Sequence, residues 1–201
     1  MRRVPMKLSV AVSVLLATAP VFAQDKAPAM TPEMQAQMEA YQKAGTPGVE
    51  HGKLAAMAGN YDLTVKSWYA PGAPPSTDAG TATRRMILGN RVLVEEVTSS
   101  MMGQPFTGQG LHGFDNVTGR YWATWNDSMS TGLMVSEGTC DANLTCAYTG
   151  TYHDPVTKKP QTTRMTSRWT DKTTEVFEMY GPGPDGKEAK MMEITYRKRT
   201  R

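Results

Sequence analysis

From Gly59 onward the sequence is cut into short segments rich in Thr, Val, Tyr and Trp, and this punctuation restricts the fold more than any other feature. The breaks fall at Gly89-Asn90, Asp115 to Gly119, Met129 to Gly132, Asp154 to Pro160, Asp171-Lys172 and Gly181 to Gly186. Between them apolar and polar residues alternate with period two, the pattern of half-buried strands. About ten strands are expected, at 60–69, 78–88, 91–100, 105–115, 120–127, 132–140, 146–153, 162–170, 174–180 and 187–198. Turns this short force neighbours to run antiparallel, because a parallel return needs a long crossover. Ten antiparallel strands in succession hide their edges best by closing on themselves. The expected fold is therefore all-β, an up-and-down barrel over 59–201. A two-layer sandwich is the alternative.

Two segments precede the barrel. Residues 1–23 read as a secretory signal, with Arg2, Arg3 and Lys7 before the apolar stretch Leu8 to Ala19. That stretch is too short to span a bilayer, and Val21-Phe22-Ala23 ends in small residues suited to cleavage after Ala23. A periplasmic or secreted bacterial protein without stable membrane insertion is expected. Residues 24–58 form a linker and short helices. Thr31 can cap, Pro32 suits the first turn, and Gly45 can end the first helix. Met34, Met38 and Tyr41 lie on one stripe, which predicts that this helix caps an opening of the barrel or packs along it. A second helix is expected after Thr46-Pro47, with Leu54 and Met57 on its buried side.

Charge excludes one class of partner. The chain carries 22 basic and 19 acidic residues. The signal would remove three basic residues and no acidic one, leaving 19 of each. Nucleic-acid binding needs a basic patch, and only the terminal stretch from Arg197 to Arg201 offers one. Two cysteines and three histidines are too few for a multi-cysteine metal site, and no phosphate-cradling loop or hydrolase signature occurs, so no metal or cofactor is implied. Cys140 and Cys146 flank a turn-like stretch and are expected to form a disulfide in an oxidising compartment. Closing a loop this short contributes about 2 kcal/mol at most, a local staple rather than the basis of the fold.

Three stretches carry a resemblance. Gly59-Asn60-Tyr61 is similar to the Gly-x-Trp opening of lipocalin-like (calycin) barrels, with Tyr in place of Trp. The resemblance implies a cation from the last strand over that ring, here Arg197 or Lys198. The stretches Trp125 to Gly132 and Phe177 to Lys187 resemble a bacterial domain-of-unknown-function family over roughly residues 32–199. That resemblance implies the barrel and supplies no substrate or catalytic residue.

Strand register points to a pocket. A turn at Gly89-Asn90 pairs Met86 with Leu93 and Arg84 with Glu95. Arg84 and Glu95 then form an ion pair in the barrel wall, either structural or an anchor for a ligand carboxylate or phosphate. Pairing Asp115 with Arg120 sets Phe114 against Tyr121, His112 against Ala123 and Gly110 against Trp125. A turn centred on Ser130 sets Ala123 against Glu137. One face then carries Phe106, His112, Phe114, Tyr121, Trp125, Val135 and Glu137, with His112 and Glu137 about 9–10 Å apart across Ala123. Glu178 and Glu193 fall on the opposite, outer face, because Phe177, Met179, Met192 and Ile194 make theirs the apolar side. The expected function is interior binding of a small, partly apolar or amphipathic ligand. Phe114, Tyr121 and Trp125 would form the wall, while Arg84, Glu95, His112 and Glu137 supply polar groups. The alternatives are an enzyme using His112 and Glu137 for proton transfer, or an interaction protein with a filled barrel.

Overall fold

Thr31 opens the first helix as its position predicts, its hydroxyl accepting a hydrogen bond from the Met34 amide at 3.3 Å. The computed structural model describes residues 30–70, 72–183 and 186–200. Within these, α1 covers Pro32–Gly45 and α2 covers Val49–Ala56. Ten strands follow: β1 Gly59–Ser67, β2 Ser76–Ile87, β3 Val92–Met101, β4 Gln104–Asp115, β5 Arg120–Asp127, β6 Met134–Cys140, β7 Cys146–His153, β8 Pro160–Trp169, β9 Thr174–Pro182 and β10 Glu188–Lys198. The signal expected at residues 1–23 lies outside the described residues.

Every strand pairs with its chain neighbours, and β1 pairs with β10, so the sheet closes as an antiparallel up-and-down barrel rather than a sandwich. Alternation places Tyr61 and Leu63 of β1, Ala82 of β2, Val97 of β3, Phe106 of β4 and Tyr196 of β10 together inside. The seam is tied by Arg199, whose amide donates to the Asn60 carbonyl and whose guanidinium meets Asp62. Cys140 and Cys146 are bonded across the β6–β7 turn.

The two helices divide their roles differently from the expectation. Leu54 of α2 is buried against Leu93 and Tyr121, and Met57 packs beside them, so α2 closes the end of the barrel where β3 begins and β4 ends. By contrast, α1 buries no residue, and Met34, Met38 and Tyr41 are exposed. The Met/Tyr helix therefore neither caps an opening nor packs along the wall. Its C-terminus is held instead, by Arg91 on the Gly45 carbonyl and by Asn116 on the carbonyls of Lys43, Ala44 and Thr46.

One register differs from the sequence reading. β4 and β5 pair as expected, with His112 opposite Ala123 and Gly110 opposite Trp125. Between β5 and β6, however, Ala123 pairs with Ser136 and Trp122 with Glu137. The loop is centred between Met129 and Ser130, because Ser128 stays bound to β4 through two hydrogen bonds with Thr107. A one-residue slip reverses the faces of a strand. Glu137 and Val135 therefore point outward, and Glu137 is exposed beside Arg120 at 3.6 Å. Met134, Ser136 and Gly138 take the inner positions.

Candidate functional site

The interior holds a cluster of charged groups that five strands bring together. Arg84 and Glu95 face each other across β2 and β3, with Nε 3.0 Å from Oε1. The guanidinium then crosses the inner face of β1 and β10, lying 4.9 Å from the Tyr61 ring centroid and 4.3 Å from that of Tyr196. At its far end Nη1 donates to Glu175 of β9 at 2.5 Å. The second Glu175 oxygen accepts from Ser167 of β8 at 2.5 Å. His112 of β4 completes the arrangement, its Nε2 lying 3.3 Å from the second Glu95 oxygen.

Accessibility separates these groups. Arg84, Glu95 and Glu175 are 5%, 3% and 3% exposed. The His112 side chain retains 28%. Burial acts against each charge, so the ions persist only because they are paired. At Glu95 burial is outweighed by the Arg84 charge and by hydrogen bonds from His112 and Arg84, which bring the pKa down to about 2. At Arg84 burial is likewise outweighed, by Glu175 and then Glu95, and the pKa lies well above its ordinary value. Burial, then Glu95, pushes the Tyr196 phenol well up, and burial, then Glu175, does the same to Tyr148. Because Glu95 stays ionised, it can only accept, and the proton between it and His112 belongs to Nε2.

An aromatic wall adjoins the imidazole. Trp125 stacks on Phe106 with centroids 6.5 Å apart, and its Nε1 donates to Asp127 nearer the open end. The indole lies flat on Gly108, where a Cβ would come within 2.2 Å of Cζ2, so β4 must carry glycine there for the ring to fit. Gly110, the register partner of Trp125, sits at the ring's edge. The row beside His112 continues through Ala123, Ser136 and Gly150, all small. Phe114 and Tyr121 lie lower, at the closed end. Phe114 meets the edges of Tyr121 at 4.9 Å and His51 of α2 at 6.0 Å. Tyr121 donates a very short hydrogen bond to Glu50 of α2.

The expected site residues therefore fall into groups. Arg84, Glu95 and His112 meet in one cluster, Trp125 stands beside them, and Phe114 and Tyr121 form the floor. Glu137 is on the outer surface, so the row joining it to His112 does not exist, and the carboxylate partner of His112 is Glu95. Arg84 is enclosed by two carboxylates, in keeping with the structural ion pair that is one of the two readings of Arg84 and Glu95. Glu175 and Ser167 were missed, although Glu175 shares a strand face with the apolar pair Phe177 and Met179. Glu178 and Glu193 lie outside, paired with Lys190, Lys66 and Arg168. Of the two cations proposed over Tyr61, Lys198 takes the place, with Nζ 5.9 Å from the ring centroid.

Fold and site define a closed ten-stranded antiparallel barrel with a buried ionic cluster beside a reachable imidazole. The family model described as a protein of unknown function, DUF1579, matches residues 46–198, and the chain belongs to that family. The crystal structure of Rv2717c from M. tuberculosis is similar, with a TM-score of 0.59 and 10% identity, covering 77% of this chain and 100% of that one. At that identity the likeness concerns the fold alone. A redesigned β-barrel, b11L5F_LGL, gives a TM-score of 0.37 and 11% identity, covering 73% of this chain and 95% of its own. No curated protein matches.

Proposed function

We propose that this protein binds a small, partly apolar molecule in the barrel interior. The observation that carries the reading is the partial exposure of inward-facing side chains. His112, Trp125, Phe177, Met134 and Ile194 all face inward, yet each is only half-buried. In a barrel filled by its own side chains these would be sealed. With α2 across one end, the opposite mouth is the entrance. A ligand would lie along Trp125 and Phe106 and place its polar group on His112. Arg84, Glu95 and Glu175 do not touch the ligand in this reading; they hold the imidazole in one tautomer. Export to the periplasm or beyond, with cleavage after Ala23, belongs to the same proposal and is supported by the Cys140–Cys146 bond.

Titration with the neutral fluorophore N-phenylnaphthylamine tests the reading. Saturable, blue-shifted emission is expected, and Trp125→Ala should weaken it about tenfold by removing the largest apolar contact. No saturable binding, together with native mass spectra free of any co-purifying molecule, would refute it. The bond from His112 to Glu95 favours a second reading, general-base catalysis in the same space. Turnover of an ester panel that disappears in His112→Gln would support that alternative.

A further inference from the structure

We infer that the lumen selects amphiphiles whose head group is a cation, such as an alkylammonium, and disfavours carboxylates and phosphates; this rests on the interior-binding reading above. The inference comes from the sign of the buried charge. One guanidinium, Arg84, faces two carboxylates, Glu95 and Glu175. Both Glu175 oxygens accept hydrogen bonds, from Arg84 and Ser167, and both Glu95 oxygens are engaged by Arg84 and His112. Two carboxylates therefore face one permanent cation, and only a proton taken up by His112 would offset the second. Lys198 does not answer it, because its ammonium sits on the Ala56 carbonyl at the surface, beyond the Tyr61 ring.

The groups a ligand meets point the same way. His112 gives its Nε2 proton to Glu95, so any further hydrogen bond of the ring is made at Nδ1. The Trp125 and Phe106 rings present π faces, which attract cations. Asp127, held by the Trp125 indole, adds a carboxylate on the path from the mouth. An incoming anion would meet this surplus in a medium of low dielectric, where like charges repel strongly. An ammonium would complete the balance that Arg84 leaves unfinished.

The test displaces bound N-phenylnaphthylamine from the full-length chain with dodecylammonium, dodecanol and dodecanoate, which share one tail. The expected order is ammonium, alcohol, carboxylate, with about tenfold or more between first and last. Equal affinities, or tighter binding of dodecanoate, would overturn the inference while leaving interior binding intact. Absence of fluorophore binding, together with native mass spectra free of any co-purifying molecule, would remove both. Glu175→Gln keeps the shape at Ser167 and removes one negative charge, so it should bring ammonium and alcohol to within about threefold of each other. An unchanged ratio in a folded variant would also overturn the inference. The wild-type ranking decides the question independently if that variant does not fold.

Discussion

Replacing Arg84 by Met should reverse the pH dependence of stability. The substitution keeps most of the side-chain volume beneath Tyr61 and Tyr196 and deletes the charge between Glu95 and Glu175. In the native protein Glu95 has a pKa of about 2 against an ordinary value of 4.5, a difference equivalent to about 3 kcal/mol. Its folded pKa lies below the unfolded one, so this contribution is present above the unfolded value and disappears as pH falls from about 4.5 toward 2. Without Arg84 the burial of Glu95 is opposed only by His112, and its folded pKa should rise above the unfolded one. The variant should then lose roughly 3–5 kcal/mol at neutral pH, as when one partner of a buried pair is removed. It should recover part of that loss on acidification toward about pH 4.5, whereas the native protein weakens only below that value. Urea unfolding followed by circular dichroism between about pH 2.5 and 7 reads both slopes. A loss below about 1 kcal/mol at neutral pH, or parallel slopes, would refute the account of the cluster.

Three further outcomes are expected. Cys140→Ser with Cys146→Ser should lower stability by about 2 kcal/mol, and the same loss should follow from a reductant; a melting temperature unmoved by either would contradict a bridged β6–β7 turn. Glu137→Gln should change stability by less than about 0.5 kcal/mol and leave fluorophore binding unaltered, since its partner Arg120 is an exposed surface contact. A weakened ligand in that variant would return Glu137 to the interior. Tyr121→Phe should remove about 1 kcal/mol by breaking the bond to Glu50, and amide exchange should quicken in α2 before it quickens in β5. Uniform quickening would show that α2 is not separately held.

Strand positions were legible in the sequence because turn residues mark each end, and every expected strand lies within two residues of the observed one at both ends. Register was legible where the turn itself fixed it. Arg84 opposite Glu95 and His112 opposite Ala123 follow from the turns at Gly89-Asn90 and after Asp115. It was not legible between β5 and β6, where the pull of Thr107 on Ser128 belongs to a third strand and leaves no local signal. Glu137 went to the wrong face for that reason. The contact of Arg84 with Glu175 spans 91 positions and crosses two intervening strands, so no turn could announce it. The parity of Phe177 and Met179 could have placed Glu175 inside, since period two does not distinguish a charged member from its apolar neighbours. The exposure of α1 follows from its weak stripe: Met34, Met38 and Tyr41 are interrupted by Gln, Glu and Lys on every side.

The seam between β1 and β10 also sets a timetable. All other pairings join consecutive strands, whereas this one joins residues 125 to 137 positions apart, from Ser67 with Met192 to Tyr61 with Lys198. A chain synthesised from its N-terminus must carry β1 with one border unsatisfied until β10 arrives. During that interval both lateral borders of the growing sheet can recruit a foreign strand. A stop codon just before Glu188 would make the interval permanent, with β1 and β9 both left bare. The product should be an aggregate rather than a nine-stranded protein.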